Sequence, residues 1–368
     1  MAKQHRPRAW GLTRRQSLKS FAYLFASGMG LSASVTACSS DPTTSTEPQP
    51  DATKAKARVL RIGHQKFDPF ILIKARGGLE ERLKTFGTRV EWIEFQSGPP
   101  LLEALNMGSI DIGRTGDAPP IFAQAADTPF FYVGSGAPRP KSSGIVVPAD
   151  SSVQTLADLK GKKVGFQRGS SAHFLVVQAL KKAGLAWSDI EPVNLTPADA
   201  RSAFEQNNID AWCIWDPFYA ASEKQVGART LITGEELAPN REFFLASKAF
   251  VADNEALLVA LLEDTAEVAQ WADNNPAEVV EVLAPITGLE PEILDVVTRR
   301  RSYIFDPVQP EAIAEQQRIA DAFYELELIP KAVRVQDVIW TPSSASSARL
   351  KRPATNPLAS LPIAIHQS

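Results

Sequence analysis

In GRTGDAPP (113–120) an arginine, a hydroxyl, a glycine and a carboxylate stand together, where a β-type run from Ile110 to Gly113 passes into a helix-like one. The start of a helix presents unpaired main-chain N–H groups and a positive partial charge, and both favour an anion. Small residues let the oxygens of an anion approach the main chain. An arginine adds a permanent fork of donors. The chemistry these residue types suit is recognition of a small anion, with Arg114, Thr115 and Gly116 as candidate donors. Asp117 stands where a helix cap would stand, before Pro119. A lone arginine more often points to solvent, so recurrence of the pattern is what favours a site.

The pattern recurs at GHQKFDP (63–69), FQSGPP (95–100) and QRGSSAH (167–173), each a strand end followed by small or polar residues and a helix start. Ser170 and Ser171 fit two roles, helix cap or ligand donor. His173 falls in the first turn of its helix, where a neutral imidazole is able to donate to an anion and where a purely structural histidine fits equally. WCIWDPFY (212–219) is dense in aromatic rings. Trp212 and Trp215 read either as core or as the wall of an apolar slot, with Asp216 at its mouth. Cys213 lies inside the apolar run, the setting of an inert buried thiol rather than of a nucleophile.

The elements that must position these loops alternate in an α/β manner. Strands are predicted at 59–63, 89–95 and 130–134, at the ends of DIGRTG and KKVGFQRG, and within 241–250. Helices are predicted over 68–83, opened by Asp68 and Pro69, over 98–108, over 170–184 with a terminal glycine, and through most of 256–328. This order gives two lobes, residues 58–142 and 244–340 forming the first and 143–243 the second, with two crossings that form a hinge. The Ser/Pro/Ala-rich stretch 341–368 is predicted to be disordered.

The 368-residue chain is 44% hydrophobic, enough for two lobes with real cores. No apolar run reaches the length of a membrane span. Two distant cysteines argue against a disulfide framework, and four histidines without ligand spacing argue against a metal site. No signature of a nucleotide or other cofactor is present, and none is expected. Residues 1–37 carry six basic and no acidic side chains ahead of an apolar stretch, the layout of an export signal. TRRQSLK (13–19) is similar to a twin-arginine export motif, and VTAC (35–38) to a lipobox that would make Cys38 the lipidated first residue. Residues 38–57 then read as a flexible tether. Removing the signal takes the net charge from −3 to about −9, which excludes a nucleic-acid partner.

From LRIGHQK (60–66), LLEALNMGSIDIG (101–113), TGDAPPIFAQA (115–125), ADLKGKKVGFQRGSSAHF (157–174), LTPADARSAFEQNNIDAW (195–212), IWDPFY (214–219) and ADAFYELELIPKAVRVQDVIW (320–340), the chain resembles the substrate-binding proteins of aliphatic sulfonate ABC importers, within the nitrate/sulfonate/taurine group. The resemblance implies an α/β, two-lobed, type II periplasmic-binding fold, with an alkanesulfonate-like organic anion in the cleft. It implies a monomeric receptor at the periplasmic or other extracytoplasmic face, delivering its ligand to an ABC permease and its ATPase, and it implies no enzyme activity. Carried onto this sequence, the ligand-binding residues are Gln65, Gly98, Pro99, Thr115, Gly116, Asp117, Ser170, Ser171, His173, Trp215 and Asp216. Arg114 stands where the family usually has a serine, and FDPF (67–70) replaces its smaller residues. Taurine, nitrate, an aromatic sulfonate or a thiamine-precursor pyrimidine are alternative ligands. A desulfinase-like enzyme using Cys213 is the alternative of another class.

Overall fold

The structure, a computed structural model, describes residues 58–350. The predicted export signal, Cys38 and the tether lie outside the described residues, as does the chain beyond 350. The first lobe begins with β1 (Arg58–His64), α1 (Pro69–Arg76), α2 (Gly78–Lys84), β2 (Thr88–Glu94), α3 (Gly98–Asn106), β3 (Ile112–Thr115), α4 (Ala118–Ala125) and β4 (Phe130–Gly136). The chain then enters a second sheet through β5 (Ser143–Val147), β6 (Lys163–Phe166), α5 (Ser171–Ala183), β7 (Glu191–Asn194), α6 (Pro197–Glu205), β8 (Ala211–Trp215), α7 (Phe218–Gln225) and β9 (Arg229–Thr233). It returns with β10 (Phe243–Ser247), α8 (Lys248–Asn274), α9 (Pro276–Thr287), α10 (Pro291–Arg299), β11 (Phe305–Asp306), α11 (Pro310–Glu325) and α12 (Ser344–Leu350).

The first sheet has the order β11-β4-β10-β3-β1-β2 and the second β7-β6-β8-β5-β9. β1 runs parallel to β2 and β3, so the three strands end at one edge of the first lobe. β6 runs parallel to β8 and does the same for the second. Leu60 and Ile62 are fully buried in the back core of the first lobe, each contributing about 1.5–3 kcal/mol. Trp212 is core: it is buried against Phe204, with ring centroids 5.9 Å apart.

Two predicted features differ. The helix expected over 68–83 breaks at Gly77, whose φ of 69° ends α1 in a left-handed cap before α2 begins. Residues 341–350, the described part of the stretch expected to be disordered, instead include a helix, α12. The Ser343 N–H donates to the Glu255 carboxylate at 2.7 Å and Arg349 pairs with Glu263 at 2.8 Å, while Leu350 packs on the back core. Alanine and arginine are good helix formers, and partners on α8 supply the anchors that the stretch itself lacks.

The crossings, 137–142 and 234–242, run side by side. The Arg139 N–H donates to Pro239 O at 2.9 Å, its Nε donates to Asn240 O at 3.0 Å, and the Gly136 N–H donates to Glu242 O at 2.9 Å.

Candidate functional site: the cleft between the lobes

Because β1, β2 and β3 end together, the loops that follow them converge. Asp68 organises the first: its carboxylate accepts from Gln65 N at 2.7 Å and from Ile71 N at 3.1 Å, closing the turn and capping α1. This turns the Gln65 side chain onto the third strand end, where Nε2 donates to Arg114 O at 3.1 Å. Gly98, the first residue of α3, lies so close to α4 that a methyl group there would press into Pro119 and Thr115. Pro99 follows it in the first turn.

A cavity of about 260 Å³ lies between the lobes. Gln65, Arg114 and Arg139 line it from the first lobe and the crossing, and Trp215 and Asp216 from the second. Phe67, Phe95 and Phe218 give it apolar walls. Four predicted site residues, Gln65, Arg114, Trp215 and Asp216, thus share one cavity, whereas Trp212 belongs to the core.

Beside this cavity the openings of α4 and α5 meet directly. The Ser171 hydroxyl lies within reach of the Asp117 carboxylate, and Asp117 caps α4 through Ala118 N at 2.8 Å. Gly116 faces Ser171 so closely that any side chain would overlap its hydroxyl. Thr115 is buried, with its hydroxyl donating to Gly116 O at 2.9 Å. Burial raises Asp117 to about 6 against the pull of Ser171 and Ala118 N–H. Nearby, the buried Ser97 Oγ has no hydrogen-bond partner among the described residues.

Two candidates sit elsewhere. The Ser170 hydroxyl turns back to donate to Gln167 O at 2.7 Å and does not cap its helix. His173 is not brought to the cavity. Its ring stacks on Phe166 at 5.1 Å and borders Trp187 and Phe323, at a separate hollow of about 320 Å³. Nδ1 accepts from Gly169 N at 3.2 Å, so Nε2 carries the proton, and burial lowers the imidazole to about 3. Of the two roles that its helical first turn allowed, its surroundings are those of the structural one, an aromatic cluster.

The site also contains residues that carry no local motif. Glu242, at the end of the second crossing, is met by three guanidinium groups: Arg114 from β3, Arg139 from the first crossing, and Arg301, at 2.7 Å, from beyond α10. All four residues are buried. Burial lowers Arg114 to about 9, with repulsion from Arg301 adding to it and Asp68 opposing it. At the mouth, Arg300 of the first lobe reaches Asp216 at 3.3 Å and Glu223 at 2.6 Å and lies over the Tyr219 ring. Burial pushes Asp216 up to about 7 despite Arg300.

Cys213 is fully buried on β8 with Sγ donating to Ala172 O at 3.3 Å, and burial raises its thiol far above the usual range. It is not among the residues that line the cavity, so the desulfinase-like alternative lacks its nucleophile there.

Two mixed sheets joined by two crossings, with a polar and aromatic cleft between them, define a type II periplasmic-binding fold built to bind rather than to react. The family model described as NMT1/THI5 like matches residues 86–279, and the chain belongs to that family. An aliphatic sulfonates-binding protein of Escherichia coli (strain K12) is 43% identical over 81% of this chain and 94% of its own length. A protein of the same description from Bacillus subtilis (strain 168) is 30% identical over 76% of this chain and 85% of its own. The alkanesulfonate-binding protein SsuA of Xanthomonas axonopodis pv. citri, solved bound to MOPS, is 41% identical with a TM-score of 0.74, over 78% of this chain and 99% of that one. These relatives are binding proteins, and this chain is a binding protein rather than an enzyme.

Proposed function

We propose that the protein is the extracytoplasmic receptor of an ABC importer and binds an organic sulfonate. The observation that carries this reading is the shared cavity: Gln65 and Arg114 at the first lobe's strand ends face Trp215 and Asp216 of the second across one enclosed space. The sulfonate oxygens accept from Arg114 and from main-chain N–H groups at the openings of α3, α4 and α5, among them those of Gly98, Gly116 and Ser171. Each charge-assisted bond contributes about 1.5–3 kcal/mol. The carbon chain lies on Phe67, Phe95, Trp215 and Phe218. Asp117 holds Ser171 in place, and Asp216 holds Arg300, so that the lobes stay together around the ligand.

The export signal and the lipobox belong to the same reading. Cys38, cleaved and diacylated, anchors the body to a bacterial membrane through residues 38–57 and keeps it near its permease. Mass spectrometry of the membrane fraction tests the anchor, and an unmodified, soluble chain beginning elsewhere refutes it. Isothermal titration with ethanesulfonate, butanesulfonate, taurine, nitrate and sulfate tests the receptor. Saturable 1:1 binding of a sulfonate with weaker binding of nitrate and sulfate is the expected result. Silence toward every sulfonate overturns the proposal.

A further inference from the structure

Around Glu242 the charges do not balance pairwise. Arg114, Arg139 and Arg301 all turn to this one carboxylate, and no second carboxylate pairs with any of the three within ion-pair distance among the described residues. Each of the nearby aspartates has another partner, and Glu94 is a further acid lining the same cavity. Asp68 is held by Gln65 N and Ile71 N, Asp216 by Arg300 and Ala220 N, and Asp117 by Ser171 and Ala118 N.

Two of the three guanidinium groups, Arg114 and Arg139, also border the interlobe cavity. Arg114 is only 3% exposed, yet its Nε has no hydrogen-bond partner among the described residues. A buried donor without a partner costs about 1–3 kcal/mol, more when it is charged. A ligand oxygen that reaches it recovers that cost. Arg114 also adjoins Thr115 and Gly116, where the sulfonate head is taken to sit, so a second anionic group at the arginines lies a short carbon spacer away from the first.

We infer that this cleft is selective for short organic sulfonates that carry a second anionic group, a carboxylate or another sulfonate, with Arg114 and Arg139 binding that second group. The inference rests on the sulfonate-receptor reading and narrows its ligand class. Arg114 is then the specificity-determining residue. It brings a fixed charge to the cleft wall while Glu242 holds its fork in place and leaves charge over for the ligand. The lowering of Arg114 and Arg139 by burial and mutual repulsion agrees with positive charge that the protein does not fully neutralise.

Titration of the full mature chain with ethanesulfonate, sulfoacetate and ethane-1,2-disulfonate, at pH 7, decides the matter. The expected result is that both dianions bind about tenfold or more tighter than ethanesulfonate. In Arg114→Ser that preference collapses to within about threefold, with the dianions losing more affinity than ethanesulfonate. Equal or tighter binding of ethanesulfonate by the wild type overturns the inference and leaves the receptor reading standing. Failure of all three to bind overturns both. The wild-type comparison is decisive even if Arg114→Ser does not fold, and Arg114→Lys, which keeps the charge, is expected to retain part of the preference.

Discussion

Arg300 and Asp216 face one another across the two lobes, Nη1 to Oδ1 at 3.3 Å, with the Arg300 guanidinium also over the Tyr219 ring at 4.4 Å. The contact fastens α10's end to the start of α7 at the mouth of the cleft. Arg300→Ala is expected to favour the open arrangement and to weaken sulfonate binding by on the order of tenfold. Small-angle scattering of the ligand-free variant is expected to show a larger radius of gyration than wild type. An unchanged radius and affinity would show that the pair does not hold the lobes.

Asp216 gives the pair a pH dependence. Its folded value of about 7, raised by burial, lies above the unfolded value of about 4, so the folded chain retains a proton that the unfolded chain releases. The contribution of Asp216 to stability is therefore fully present below about pH 4 and is lost as pH rises through about 7. Asp216→Asn is expected to flatten that fall in urea midpoints taken at about pH 5, 6 and 8. Asp117, raised to about 6, leaves a smaller slope of the same sign. A slope identical to wild type contradicts the assignment.

Glu242→Gln leaves three buried guanidinium groups without their carboxylate. Loss of one partner from a buried ionic cluster costs about 3–5 kcal/mol, read as a lower urea midpoint. A neutral outcome would mean that the arginines find other counter-charges.

Gly116→Ala inserts a methyl group into the Ser171 hydroxyl, which Asp117 holds. The lobes then close less fully. Sulfonate affinity is expected to fall by on the order of tenfold with the melting temperature nearly unchanged. Unchanged affinity would show that this contact does not govern binding.

Cys213, buried and bonded to Ala172 O, is expected to resist thiol reagents until the chain is unfolded, followed by peptide mass mapping at that position. Rapid labelling of the native chain would reopen a chemical role for it.

Much of this architecture was legible because helix openings leave local marks. Asp68-Pro69 before α1, Ser170 before α5 and Gly184 after it could be read directly, and Gly184 does adopt the left-handed cap, with φ of 68°. β5, β7 and β9 left weaker marks. β7 carries Pro192 on a sheet edge, and β9 is half-buried without alternation. Within the site, Arg139, Glu242 and Arg301 escaped notice because crossings and helix ends far apart in sequence bring them together. The run Arg299-Arg300-Arg301 looks uniform, yet the first is exposed, the second bridges the lobes and the third is buried on Glu242. His173 left two roles open in the sequence. A first-turn position signals a donor only if the ring faces the ligand, and Phe166, Trp187 and Phe323 decide that it does not.

The pairing of Arg139 with Glu242 on the two crossings also bears on the medium in which the protein works. Dissolved ions weaken exposed pairs such as Lys84 with Glu81 but reach buried ones far less. Salt in the surrounding solution therefore exchanges around the exposed pairs alone. A pivot whose charges are sealed from that exchange keeps the same stiffness in dilute and in briny water.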